Sequence, residues 1–460
     1  MLAVRSTVLA FLSFVAVAPT ALAQEASQRP KFQLFRQNED WSQFRGGDGA
    51  FDKIKHININ GDGSVWVSLG GRADTRLESW ENFGFGAAND DDFILTRAFL
   101  HADVHFGKKV RVFVEGKTAQ STERELPGGR RGLDVDTVAV HQAFADFQIV
   151  KNGDSSLRLR AGRQMFIFGA QRLISPLPWA NTFRTWDGIS AQWQNGGWTI
   201  DGFYSHFVPV RKTARNNAND DLEFYGVHAS RKPKKGERGY DVYVFGTTRP
   251  GVTVNGTTGN ERRHTIGGRT WGPIGDGFDG EIEAAYQVGE IGSNDVNAWS
   301  VTGVLGHTPE GWKGKPRFFV GVDAASGDTR PGGSVGTFGQ LYPLGHAYLG
   351  WADIIARQNV LAGQIGMSVN VAEKTNAKVA GHFFRLMERN DAFYNVGGGV
   401  AQTGLSSRDV AQELDLLVTH KVSPAAKIYG GYSYVFGGGG LTGATTKDIA
   451  FFYLGASYMF

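Results

Sequence analysis

From Val65 to Glu78 the chain alternates with period two. Val65, Val67, Leu69, Ala73 and Leu77 share one face, and Arg72, Asp74, Arg76 and Glu78 share the other. The alternation returns between Phe93 and Phe106, where Ile94, Ala98, Leu100, Ala102, Val104 and Phe106 lie opposite Arg97, His101, Asp103 and His105. Between Val110 and Thr118, Val110, Val112 and Val114 lie opposite Arg111, Glu115 and Lys117. The pattern continues through residues 157–161, 189–193, 240–246, 281–288, 317–324, 378–385, 413–418 and 450–460. A soluble sandwich also alternates, but one core must then serve every strand. Strand after strand with a greasy side and a charged side fits a wall with lipid outside and a watery lumen inside.

The connections carry a second signal. Tight turns at 106–110, 150–156, 194–198 and 373–378 are interleaved with long segments at 79–92, 119–137, 169–185, 208–221, 327–357 and 388–407. Short periplasmic turns and long extracellular loops are the asymmetry of outer-membrane barrels. Counting strand-like segments in this way gives about 18, an even number as such barrels require. The chain ends on IAFFYLGASYMF, with Phe452, Leu454, Ala456, Tyr458 and Phe460 on one face. Such a strand, closing on an aromatic residue, resembles the terminal signature that outer-membrane assembly machinery reads. The expected fold is an all-β transmembrane antiparallel barrel.

Compartment and composition agree with that fold. Arg5, the apolar run from Thr7 to Val17 and the small-residue pattern Ala21-Leu22-Ala23 read as a signal peptide over residues 1–23. Residues 24–64 then form an N-terminal periplasmic segment leading into a barrel over 65–460. No later stretch is long and apolar enough for a spanning helix. The absence of cysteine excludes disulfides and thiolate chemistry. A net charge of +3 is too balanced to point to nucleic acid. The 63 glycines and 12% aromatics suit many turns and half-exposed strands.

An 18-stranded barrel is wide enough for an aqueous channel, so function is expected in the lumen lining. The alternation places Arg72, Arg76, Arg97, Arg111, Lys117, Arg158 and Arg160 there, with Asp74, Asp103 and Glu115 between them. Guanidinium groups bind carboxylate in a bidentate fashion and stay charged, which suits an anionic, carboxylate-bearing solute. Interspersed acids keep such a solute from sticking.

FRQNEDW (35–41), VSLGGRADTRLE (67–78), LRLRAGRQ (157–164), QRLISPLPWANTFRTWDG (171–188), SGD (326–328) and LYPLGHAYLGWAD (341–353) together resemble the alginate-export family of outer-membrane proteins. The resemblance covers nearly all of the chain after residue 23, in the expected order. It implies an 18-stranded, arginine-rich barrel that secretes an anionic polyuronate, in known members constricted by an inward-folded extracellular loop and gated by a periplasmic one; periplasmic secretion partners are a further expectation. Carried over by motif, Arg163, Arg172, Arg184 and Asp187 would be constriction or loop-anchoring positions. His346 and Asp353 belong to the last motif, without an assigned role. The runner-up reading is a general anion-preferring porin for small carboxylate or sugar-acid solutes.

Catalysis and metal binding receive little support, and no cofactor is expected. His101, Asp103 and His105 lie on one face about 6.6 Å apart at the usual strand rise, loose for a single ion with ligands at about 2 Å. Asn89 to Asp92 could hold calcium but lack the spaced ligand pattern. Trp80, Phe83, Phe85, Tyr204 and Phe207 read as aromatics of the membrane interface. Residues 171–188 are odd for an exposed loop, with Leu173, Ile174, Trp179 and Phe183 poorly suited to water and Pro176 and Pro178 stiffening the backbone. They are expected to fold back into the barrel mouth, presenting Arg172 or Arg184 to the pore while Asp187 pairs an arginine.

Overall fold

The computed structural model describes residues 29–443 and 446–460; the expected signal peptide lies outside them. Strands run in chain order as β1 (Ile57–Asn58), β2 (Val65–Glu81), β3 (Asp91–Phe106), β4 (Val110–Ser121), β5 (Asp136–Asn152), β6 (Ser155–Gln164) and β7 (Trp186–Asn195). They continue as β8 (Trp198–Phe207), β9 (Glu223–Arg231), β10 (Gly239–Val254), β11 (Thr257–Gly275), β12 (Phe278–Ile291), β13 (Asn294–His307) and β14 (Arg317–Ala325). The last are β15 (Val360–Ala372), β16 (Thr375–Leu386), β17 (Phe393–Tyr394), β18 (Val400–Gln402), β19 (Asp409–Lys421), β20 (Ala426–Gly437) and β21 (Ile449–Met459).

Eighteen of these, β2–β16 and β19–β21, pair antiparallel with their neighbours. β2 pairs with β3 on one side and β21 on the other, Ala73 standing opposite both Ala98 and Tyr458, so the sheet closes on itself. Closure leaves no strand edge, the only way a sheet can cross hydrocarbon with every backbone group paired. No helix among the described residues is long and apolar enough to cross a membrane. β1 lies beside β2, and β17 and β18 form a small hairpin within one loop.

The two faces follow the period. Leu100, Ile189, Ile282 and Ile365 are more than half exposed and point outward, whereas Phe93, Trp186, Glu283 and Phe384 on the same or neighbouring strands are buried inside. On the extracellular side the loops are L1 (82–90), L2 (122–135), L3 (165–185), L4 (208–222), L5 (255–256), L6 (292–293), L7 (326–359), L8 (387–408) and L9 (438–448). L5 and L6 are tight turns on the long-loop side, while the periplasmic connections at 232–238 and 308–316 are the longer ones on theirs.

Four of the five aromatics assigned to the membrane interface need correction. Trp80 is inward and stacks on Phe451 at 3.8 Å, Phe85 is buried, and Phe83 and Phe207 pack against the interior cluster; Tyr204 alone is outward. The inner wall is therefore not purely polar. Its extracellular half carries buried aromatic and aliphatic residues beside ion-paired charges, because folded-in loops cover it.

The N-terminal segment, expected in the periplasm, packs in its described part against the inner wall. Buried Arg36 pairs with Glu39 at 2.6 Å and donates to the carbonyls of Gly71 (2.6 Å) and Phe460 (2.9 Å), tying the segment to the β2–β21 seam. Gln37 reaches Gln142 on β5, and Trp41, Phe44 and Trp66 form a cluster. Lys55 is fully buried and donates to the Leu69 carbonyl at 2.6 Å. Burial, with Arg36 nearby, pulls its ammonium from 10.5 down to about 7. The undocked segment thus holds this proton to higher pH than the docked one. Docking is expected to strengthen as pH rises from about 7 toward 10.5 and to be weakest below 7. Protease protection of residues 29–58 should be greater near about pH 9 than about pH 6.5, and Lys55→Met should flatten that difference. Protection that falls as pH rises would contradict the assignment.

Candidate functional site: a loop-filled mouth above a charged vestibule

L3 enters the lumen directly after β6. Its prolines supply no N–H donors, and several of its carbonyls are satisfied by cations on three adjacent wall strands. Arg76 on β2 donates to the Trp179 carbonyl at 2.9 Å and lies over the Trp179 ring at 3.7 Å. Arg97 on β3 donates to the carbonyls of Pro178 (3.0 Å) and Ala180 (2.5 Å), and Lys117 on β4 to that of Thr182. Behind them stand Glu78, Asp74 and Asp136, each ion-paired to its cation. Arg72 completes the row, 2.7 Å from Asp74.

L7 meets L3 in the centre. Ile174 bridges Tyr342 in parallel, Ser175 N–H donates to the Tyr342 carbonyl at 2.8 Å, and Leu344 N–H donates to that of Gln171 at 3.0 Å. Arg184 donates to the Pro343 carbonyl at 2.8 Å; burial pulls its guanidinium down to about 10. Trp179 sits among His346, Trp351 and Tyr453 with ring centroids 4.8 to 5.7 Å away. His346 pairs with Asp353 at 3.2 Å, so the two residues left without a role hold the L7 hairpin in shape.

Wall strands β19 and β12 supply acids. Ala352 N–H donates to Glu413 at 2.7 Å and Trp351 N–H to Asp415 at 3.3 Å. Gly350, at φ +84°, sits so close that a Cβ would meet the Glu413 carboxylate at 2.2 Å, a position that requires glycine. Arg172 pairs with Glu281 and, at 3.0 Å, Glu283 on β12. Burial, the largest single effect, lowers its affinity for the proton, but Glu281, Tyr348 and Glu283 together outweigh this and the net shift is upward. Among the described residues, six of the twelve non-glycine residues with positive φ fall in L3 and L7: Gln171, Leu177, Phe183, Leu341, Asp353 and Asn359. Such backbone persists only where the surroundings over-determine it. Between Arg172, Leu173 and Arg357 on the loops and Tyr243, Glu283 and Thr302 on the wall, about 10 Å³ remains free, on the order of one water.

Below this mouth, facing the periplasmic end, lies a cavity of about 1130 Å³ roofed by Met165–Gly169 and Phe203. Its lining includes Lys151, Arg158, Arg160, Lys232 and Arg269 against Asp154, Asp201 and Asp241, five cations to three carboxylates, with Ser190, Gln192, Gln194 and Ser230 between them. Asp146 is shared by three guanidiniums: Arg160 at 2.6 Å, Arg158 at 3.8 Å and Arg111 at 4.0 Å. Arg111 is also bidentate to Asp103. Arg158 is the most open of the three, 27% exposed along its side chain and also bonded to Gln192.

Arg163 and Asp187 are not pore residues. They are cross-strand partners forming a bidentate pair at 2.7 and 2.8 Å on the outward face, since Gln164 and Trp186 beside them point inward. The motif reading grouped them with the loop, whereas strand parity, unbroken from Arg158, turns them out. Sequence reasoning also missed Arg263, Arg269 and Arg357. Arg263 and Arg269 share the parity of Trp271 on β11, a signal available in ERRHTIGGRTW; Arg357 lies in L7, where no period exists to read. His101, Asp103 and His105 engage Glu115, Arg111 and the Trp66 ring respectively. In L1, Asp90 accepts from Asn82 N–H, and on β3 Asp91 accepts from Glu125 N–H.

The family profile described as alginate export matches residues 65–451, from the first barrel strand into the last. The chain belongs to the alginate-export family. Among curated proteins no sequence relative is found. Solved structures with the same fold include Acinetobacter baumannii OccAB1 (11% identity, 89% of this chain and 99% of that chain covered, TM-score 0.58). Pseudomonas aeruginosa OccD3 (OpdP) follows with 12% identity, 89% and 93% coverage and TM-score 0.57. The outer membrane protein OpdK of Pseudomonas aeruginosa gives 10%, 85% and 98%, and 0.55. At such identities the likeness concerns the fold. Family and fold together place this alginate-export member in the bacterial outer membrane as a channel-type barrel.

Proposed function

We propose that this barrel carries an anionic, carboxylate-bearing chain, an alginate-like polyuronate, outward through the vestibule and past the L3–L7 mouth. The observation that supports it best is the excess of guanidinium around Asp146. Of three arginines about one carboxylate, Arg158 is the most exposed and the one not held in a bidentate pair, as Arg160 is with Asp146 and Arg111 with Asp103, which leaves it able to engage a solute carboxylate. Asp201 and Asp241 limit residence. The filled mouth is then the resting state, and passage requires the loops to yield. Periplasmic secretion partners and an assembly role for the Phe460 strand belong to the same proposal. A second reading, uptake of small carboxylates by an anion-preferring porin, is favoured by the vestibule's volume of about 1130 Å³, the scale of a small-ligand pocket.

In planar bilayers, short polyuronate chains added on the periplasmic side should block current at concentrations where a neutral glucan of equal length does not. Equal block by both, or by neither, would remove the polyuronate reading. Block by monomeric sugar acids alone would favour the porin.

A further inference from the structure

We propose that the outer edge of L2 and L4 binds a phosphorylated glycolipid of the outer leaflet, through a cationic patch set above lipid-facing apolar side chains. β6 and β7 are short, and L3 leaves from between them into the lumen, so the upper part of β5 lacks a strand partner on that side. L4 takes the place: Thr137 N–H donates to the Lys212 carbonyl at 3.1 Å, and Asn216 donates to Asp136 at 2.7 Å. L2 is tied to it by Lys212 Nζ on the Arg130 carbonyl at 2.9 Å. This fixed scaffold presents Arg130, Arg131, Arg211, Lys212 and Arg215, all exposed.

Arg131 is paired with Asp134, but among the described residues no carboxylate lies within 4.0 Å of the other four. Unpaired cations held on a rigid frame are a complement to phosphate. Immediately beside them Val138 is 82% exposed and Val140 and Leu133 are also exposed, as hydrocarbon-facing side chains would be. Acyl chains against Val138 and Val140 and phosphates on the cations satisfy both halves of the surface. This inference stands apart from the identity of the transported solute.

The probe is bisphosphorylated lipid A, offered to the detergent-solubilised full chain and followed by native mass spectrometry, with phosphatidylethanolamine as the comparison lipid. Lipid A should be retained in preference to phosphatidylethanolamine. Replacing Arg130, Arg211, Lys212 and Arg215 together by Ser should weaken that retention roughly tenfold or more. A second variant, with Lys212→Arg alone, should retain the lipid. Heat-modifiable migration checks that both variants are folded barrels. Equal retention by the folded four-site variant would overturn the proposal. So would displacement of lipid A by polyuronate, which would make the patch part of the solute path.

Discussion

Replacing residues 341–353 of L7 by a short Gly-Ser link is expected to raise single-channel conductance severalfold while leaving the barrel folded. This segment contributes Leu341, Leu349 and Ala352 to the buried interior cluster and reaches from L3 to the Glu413 and Asp415 carboxylates on β19, three strands from β2. No barrel strand is interrupted by its loss, because β14 and β15 pair with each other independently of it. L3 should remain folded in, since its carbonyls are held by Arg76, Arg97 and Lys117 on β2, β3 and β4. The gain in current should therefore come from the side of the lumen lined by β16 and β19, and be smaller than for a barrel stripped of both loops. Conductance equal to the parent, in a barrel that keeps its heat-modifiable migration, would mean that ions pass by a route these loops do not fill.

The second large effect is expected from charge reversal in the vestibule. Arg158→Glu should shift selectivity toward cations and weaken polyuronate block roughly tenfold or more. Arg158 is chosen because it is the open member of the trio; its loss leaves Asp146 bidentate with Arg160 at 2.6 and 2.8 Å. Arg160→Glu is a poor probe, since it would set one carboxylate against another where both are nearly buried. Arg97→Glu and Arg184→Glu would remove donors to loop carbonyls and so disturb L3 before they reported on selectivity. Arg158→Glu with unchanged block would locate solute recognition elsewhere.

Strands were legible because period two is enforced by having lipid on one side of every strand. Every alternating segment read from the chain falls inside an observed strand, as 157–161 does within β6, except that 450–460 runs one residue past the end of β21. Parity errors follow where a motif was read as a unit: Arg163 and Asp187 belong to strand ends and obey the strand. The direction of L3 was legible from Leu173, Ile174 and Phe183, all now buried, since apolar side chains on a loop need a wall to cover them. The partner was not. L7 has no period, and its contacts with L3 combine backbone carbonyls, which leave no mark on residue type, with rings such as His346 and Trp351 on Trp179, whose pairing no spacing announces. Trp80 and Phe85 were misassigned because an aromatic under a folded-in loop and one at a lipid interface look alike in sequence.

The direction in which the lumen sorts charge is the central claim, and the zero-current potential of the unaltered protein tests it most directly. With a potassium chloride gradient across a planar bilayer, the potential should carry the sign of chloride permeation. A potential carrying the sign of potassium permeation would contradict it.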